Sequence, residues 1–225
     1  MIKTIAIIPA RGGSKRIKNK NIIKFNKQPM IYWSVKAAKK SKCFDKIVIS
    51  TDCDKIIKIA KQLKVDFVKR PKKLALDSTP LLAVVRHYIQ NTDEKYSTIC
   101  CVLPSSPLIF YKDIINSKKL LKKNTRFVFP ITNYSYPIDK SLLKNKNNYL
   151  SLKNNSNALK NTQKFKEYYH DAGQFYWGFT SDFLKFKNIF NSKKVKGYFL
   201  PNYRVKDIDN YSDLRVAINI FRSFF

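Results

Sequence analysis

Two stretches of this chain combine residue types that could do chemistry. In "PARGGSKRIKNKN", Gly12 and Gly13 are followed by Ser14, Lys15, Arg16, Lys18 and Lys20, with Arg11 just ahead. Glycine has no Cβ, so such a backbone can turn with positive φ, come close to a ligand and leave successive N–H groups facing an anion. The pattern is neither standard phosphate loop: G-x-x-x-x-G-K-[ST] needs a second glycine before its lysine, and G-x-G-x-x-G needs spaced glycines. By itself it reads equally as a tight turn with solvated lysines. In "VKDIDN", Asp207 and Asp209 stand two apart on an extended segment, so both carboxylates face one side, as two ligands of one hard cation would. The plainer reading of that pair is a solvated polar loop.

A third stretch, "YYHDAGQFYWG", sets His170, Asp171 and Gln174 among Tyr169, Phe175, Tyr176 and Trp177. That mixture suits a pocket that stacks apolar faces and orients a few polar groups, with Gly173 permitting close approach. It also suits an aromatic core strand with His170 at its exposed start.

The elements that must position these residues follow from periodicity. "TIAIIP" is a short, β-branched run that reads as a buried strand, and the glycines come where it ends. In "PMIYWSVKAAKKS", Ile31, Val35 and Ala38 share a helical face. The alternation continues through "KIVIST", "DKIIKIAKQL", "DFVKR", "PLLAVVRHYIQ", "STICCVLP", "KDIINSKKLLKK" and "RFVFPIT". A β-α-β-α rhythm of this kind predicts an α/β fold with a mostly parallel sheet flanked by helices, whose ligands bind beyond the carboxyl ends of the strands. The first glycine-rich loop lies in that place. From about 135 to 168 the rhythm gives way to a polar Lys/Asn-rich arm with a weak strand, "NYLSL". The chain closes with "GYFLP" and a helix expected to be N-capped by Ser212 or Asp213.

Composition bounds the rest. The 225 residues suffice for one domain spanning 1–225 with an extended arm, and the formal charge is +30. Charge alone would suggest nucleic acid, an anionic membrane or phosphorylated ligands. Only eight of the 45 basic residues are Arg, however, and the lysines are spread through bland Lys/Asn runs with no focused Arg stripe or RNA-recognition signature. That argues against a nucleic-acid-binding protein. Cys43, Cys53, Cys100 and Cys101 form no C-x-x-C pair, so structural zinc is not expected. No apolar run reaches the length of a membrane span or a typical signal-peptide core, which predicts a cytoplasmic protein without a membrane partner.

The whole string "IPARGGSKRIKNKNI" closely resembles the opening motif of the cytidylyltransferases that make CMP-activated nonulosonic (sialic-type) acids. "VISTD", "RPKKLALDST", "LPSSPL" and "DID" follow in that family's order and at about its distances. The likeness covers nearly the full chain and is weakest between 138 and 160. "YHDAGQFYWG" is most similar to the pseudaminic acid branch, with N-acetylneuraminate, legionaminate and Kdo enzymes as the alternatives.

The resemblance implies a Rossmann-like nucleotidyltransferase sheet and transfer of CMP from CTP to the anomeric hydroxyl of a nonulosonic acid, with release of pyrophosphate. It implies CTP over the first loop: Arg11, Gly12, Gly13, Ser14 and Lys15 at the phosphates, Lys20 and Asn21 close to the nucleotide, and Arg70 as a second cationic contact. Asn21 can offer both a donor and an acceptor to a cytosine edge. Asp77 and Ser78 would line the nucleotide side, although Asp77 reads equally as a helix N-cap. Mg²⁺ would be held by Asp207 and Asp209, and Arg11, Lys15 and Asp209 would carry catalysis. Ser105, Tyr169, His170, Asp171 and Gln174 would meet the sugar. A homodimer is implied, the arm of one subunit reaching toward the other's sugar site. Two positions depart from the family pattern. Leu103 stands where sialic-acid members usually have Gln, leaving Ser105 or Ser106 to substitute. Asn161 stands where the pseudaminic branch usually has Arg, leaving Lys160 and Lys164 as nearby cations without a bidentate fork.

Overall fold

A computed structural model describes residues 3–154, 161, 163 and 165–224. The chain runs β1 (Thr4–Pro9), the short ribbon β2 (Lys24–Phe25) and β3 (Gln28–Pro29), α1 (Met30–Ser41), β4 (Lys46–Thr51), α2 (Asp54–Gln62), β5 (Asp66–Lys69) and α3 (Leu81–Gln90). It continues through β6 (Thr98–Val102), α4 (Tyr111–Lys118), β7 (Phe127–Asn133), β8 (Leu142–Lys144), β9 (Leu150–Leu152), β10 (Tyr169–Asp171), β11 (Phe175–Phe179), α5 (Thr180–Lys185), β12 (Val195–Phe199) and α6 (Tyr211–Phe224).

β1 lies inside the main sheet, between β4 and β6 and parallel to both. Its apolar run feeds both faces: Ala6 and Ile8 join the core that also holds Ile31, Val35 and Ala38 of α1, whereas Ile5 and Ile7 join the core containing Leu82 and Val85 of α3. Burial on both faces explains why the strand reads as a continuous apolar run. Each fully buried Ile contributes about 1.5–3 kcal/mol relative to exposure. β4 and β5 continue the parallel half, while β11 is antiparallel to β6 and to β7, so the sheet is mixed.

At β7 the pairing changes character. Phe127 and Ile131 each pair with β12 on one side and with β11 or β10 on the other, so β10 and β11 are two halves of one interrupted strand. Between the pairs Asp171–Ile131 and Trp177–Val128 the interrupted strand carries three more residues than β7. The surplus is a wide bulge at Ala172–Gln174. Opposite it lies Pro130, which has no N–H to give a ladder but accepts the Ala172 N–H at 2.9 Å. A proline inside a sheet is tolerated at such a break.

A third apolar cluster gathers Ile17, Phe25, Met30, Leu108, Ile208 and, from α6, Leu214, Ala217 and Phe221. The expected N-cap of α6 is corrected: Asn210 takes that place. Its Oδ1 accepts the Asp213 N–H at 2.9 Å and Asp213 Oδ2 accepts the Asn210 N–H at 3.1 Å. This reciprocal capping box is more favourable than a single cap at Ser212 or Asp213 because it satisfies two backbone donors. Within the arm, β8 and β9 form an exposed antiparallel hairpin, so the weak strand at "NYLSL" does form. Lys160 and Lys164 lie outside the described residues. Among the described residues no helix is long and apolar enough to cross a membrane.

Candidate functional site

The basic loop leaves β1 at its carboxyl end, beside the carboxyl ends of β4 and β6. Gly12 and Gly13 do not have the positive φ expected of them; among the described glycines only Gly173 does. Gly12 is required for space instead, since a Cβ there would stand 2.8 Å from Cys53 Cβ. Nor is its N–H free for an anion: it donates to Asp52 Oδ1 at 3.0 Å, and the Ser14 N–H donates to the Gly12 carbonyl at 3.0 Å. The left-handed turn falls at Asn19, φ 57°, a residue type that tolerates it. Between the cations, Ile17 is only 1% exposed and packs in one cluster with Ile208, which ties this loop to the segment carrying Asp207 and Asp209.

Two adjoining cavities, of about 280 and 400 Å³, share Arg11, Ser14, Lys20 and Asp77 in their walls. Asn21, Arg70 and Ser105 line the first; Lys15, Arg16 and Asp209 line the second. Asn21 is buried, and its amide donates to the Arg11 carbonyl at 2.8 Å, leaving its oxygen and a second N–H for a ligand. Arg70 is buried with Nε unpartnered among the described residues. Burial lowers its guanidinium from the usual range and the charge of Asp52 opposes that. Ser78 is exposed and lines neither cavity.

The loop cations are matched by carboxylates from distant segments. Asp77 pairs with Arg11 and, at 2.8 Å, with Lys15, and these two hold its carboxyl below the ordinary carboxylate range, Lys15 contributing most. It caps no helix, because α3 begins after Pro80 without a side-chain cap. Asp209 pairs with Arg16 at 2.6 Å and lies 3.6 Å from Lys20. Ile208 is fully buried between Asp207 and Asp209, so the two aspartates share the other face of their extended segment.

That segment is pinned at both ends. Asp113 on α4 pairs with Arg204 and accepts from the Tyr198 hydroxyl at 3.2 Å, burial pushing its carboxyl up against the pull of Arg204. Lys206 pairs with Asp213 at 2.6 Å, next to the capping box. Among the described residues no three His, Cys, Asp or Glu side chains converge on a metal position. Two carboxylates nevertheless fit Mg²⁺, which takes hard oxygen donors and is commonly bound by one or two carboxylates together with substrate phosphates and water.

The bulge places the remaining predicted residues. The Gly173 N–H donates to Asp171 Oδ1 at 2.8 Å, the Tyr176 hydroxyl donates to Oδ2 at 2.5 Å, and Gly173, φ 61°, makes the turn. Burial raises the Asp171 carboxyl against the opposing pull of its bonds from the Tyr176 hydroxyl and the Gly173 N–H. Gln174 is buried with Oε1 unpartnered among the described residues. From the β6–α4 loop, the Leu103 N–H donates to the Gln174 carbonyl at 2.8 Å and the Ser106 hydroxyl to the Gly173 carbonyl at 2.7 Å. Ser106 thus braces the bulge, and Ser105 is the serine that lines the cleft.

His170 bonds through Nδ1 to the Asp171 carbonyl at 2.9 Å and meets the Tyr134 ring edge-on. Tyr169 faces elsewhere, into a cavity of about 390 Å³ shared with Tyr134, Tyr136 and Phe199, and Asn161 is exposed. Sequence reasoning gave no role to Asp52, Ile17 or the Asp113–Arg204 pair. The available signals were an acidic residue ending a strand and a lone apolar residue within a run of cations.

Comparisons with known proteins identify the family and the fold. The family model described as cytidylyltransferase matches residues 5–214. The chain is 36% identical over 228 residues to the pseudaminic acid cytidylyltransferase of Campylobacter jejuni, covering 98% of this chain and 97% of that one. It is 28% identical to an Escherichia coli N-acylneuraminate cytidylyltransferase, over 97% of this chain and 52% of that one. Among solved structures, a CMP:2-keto-3-deoxy-manno-octonic acid synthetase complexed with CTP shares the fold at a TM-score of 0.75 and 12% identity, over 99% of this chain and 100% of that one.

Proposed function

The chain belongs to the cytidylyltransferase family, and we propose that it transfers CMP from CTP to the anomeric hydroxyl of pseudaminic acid, giving CMP-pseudaminic acid and pyrophosphate. The observation that carries this reading is the meeting of the basic loop, Asp209 and the β6–α4 loop around one cleft beyond the carboxyl ends of β1 and β6, with the Asp171–Gln174 bulge hydrogen-bonded to that β6–α4 loop. Identity of 36% to the Campylobacter jejuni pseudaminic acid relative, against 28% to the N-acylneuraminate one, supports the choice of sugar.

In this reading Arg11, Ser14 and Lys15, backed by Gly12 and Gly13, bind the triphosphate. Arg11 and Lys15 take up the charge that develops on the departing pyrophosphate. Asn21 and Lys20 orient the nucleotide and Arg70 adds a buried cation; Asp77 lies on the nucleotide side, and Ser78, exposed and outside both cavities, takes no part. Asp171, His170, Gln174 and Ser105 orient the sugar, whereas Tyr169, turned into the separate cavity beside the arm, takes no part. The hydroxyl attacks the α-phosphorus in line, the bond from that phosphorus to the pyrophosphate oxygen breaks and the hydroxyl proton passes to solvent, so no protein nucleophile is needed. Asp207 and Asp209 would hold Mg²⁺, which when bound supplies charge neutralisation at the phosphates. The exposed Tyr136, Leu142, Leu143, Tyr149 and Leu150 of the arm fit a surface covered by a second copy, making the working form a homodimer. A cytoplasmic setting supplies CTP.

The test is pyrophosphate release with Mg²⁺ and CTP against pseudaminic, legionaminic and N-acetylneuraminic acids and Kdo, with UTP and ATP as controls. Release with CTP and pseudaminic acid alone is expected. Turnover of CTP with a different sugar would retain the reaction and overturn the sugar.

A further inference from the structure

Arg11 and Lys15 are both engaged by one carboxylate, that of Asp77, which reaches them from the segment between Lys72–Leu74 and α3. Asp77 stands where the two cavities meet. It presents one oxygen to each cation, as a phosphate group would. The fold makes no evident use of it: Asp77 caps no helix, and the neighbouring Leu76 is 59% exposed. A triphosphate on Arg11 and Lys15 could not share them with Asp77 without bringing like charges into contact, which is unfavourable.

Resting on the cytidylyltransferase reading, we propose that Asp77 competes with the triphosphate for Arg11 and Lys15. Its carboxylate is displaced when CTP binds, and after transfer it recovers both cations and promotes release of pyrophosphate. Asp77 therefore limits how tightly the loop holds any polyphosphate, and its contribution to turnover comes from leaving the cations and returning to them. A residue that contacts CTP favourably would have the opposite effect on affinity.

The sign of the effect is the test. Metal-free binding of inorganic pyrophosphate and of CTP is measured by calorimetry on the full chain, as wild type, Asp77→Asn and Asp77→Glu, with melting curves to verify folding. Pyrophosphate is then used as a product inhibitor. Asp77→Asn is expected to bind both ligands about three- to tenfold tighter, the scale of losing two part-exposed ion pairs. The gain should shrink at high salt. Pyrophosphate inhibition should strengthen in parallel, and Asp77→Glu should follow the wild type. Equal or weaker binding by folded Asp77→Asn overturns the proposal and makes Asp77 a direct contact or a bystander. A wild-type chain that binds no CTP either metal-free or with Mg²⁺ added would instead overturn the underlying reading, and the proposal with it.

Discussion

The basic wall of the cleft and the bulged wall behind it, which is hydrogen-bonded to the loop whose Ser105 lines the cleft, are held by different forces. On the basic wall Arg11, Lys15, Arg16 and Lys20 are tied to Asp77 and Asp209 by part-exposed ion pairs, each worth about 0–1 kcal/mol. On the bulged wall Asp171 is fixed by the Tyr176 hydroxyl and the Gly173 N–H, and the bulge by Leu103 and Ser106, all part-buried or backbone hydrogen bonds. A charged ligand can replace the first set at little cost, because it substitutes its own oxygens for the carboxylates. The second set must be intact before a ligand arrives, since unpaired buried groups are expensive. In the proposed reading the contrast suits one side that releases a polyphosphate at every turnover and another that recognises the sugar.

The largest expected effect tests what joins the walls. Asp209→Ala removes a proposed metal ligand and should abolish pyrophosphate release, at least about 10³-fold, with an unchanged melting temperature; activity like the wild type would end the metal assignment. Next is Gly12→Ala, whose Cβ meets Cys53 Cβ at 2.8 Å. The loop must shift, and a fall in kcat/KM for CTP of about 10²-fold is expected. Adding Cys53→Gly should recover part of it, and no recovery would contradict the steric account.

On the bulged wall, Ser106→Ala leaves the Gly173 carbonyl without its donor, a loss of about 1 kcal/mol in stability measured by denaturant melts. It should raise KM for the sugar several-fold and leave that for CTP alone. Salt should give the smallest effect. Raising ionic strength from about 0.1 to 1 M shortens the screening length from about 10 to 3 Å and should weaken CTP binding more than sugar binding. Equal weakening would erase the distinction between the walls.

The sequence reveals the basic wall more readily than the bulged one. A buried strand ending in "RGGSK" and the Ile31, Val35, Ala38 spacing are local patterns, and both correspond to elements of the fold. The partners of that loop are not local: nothing in the spacing of Arg11 and Asp77 announces their contact, which exists because both leave the same end of the sheet. The glycines illustrate the limit, because close packing against Cys53 and a turn with positive φ call for the same residue. On the bulged wall the aromatic run reads as one strand. Its interruption is written in another strand, at Pro130, where the missing N–H makes the bulge tolerable. At α6 the local pattern points to a cap two or three residues too late, since Asn, Ser and Asp are all good caps and only the reciprocal bond with Asp213 selects Asn210.

The division between the walls is tested most directly by two variants measured side by side. In steady-state kinetics with both substrates varied, Lys15→Ala should raise KM for CTP at least about tenfold with little change for pseudaminic acid. Tyr176→Phe, which deprives Asp171 of its hydroxyl partner, should raise KM for pseudaminic acid and leave that for CTP unchanged. If both variants shift the two constants together, the walls do not act separately and the account is contradicted.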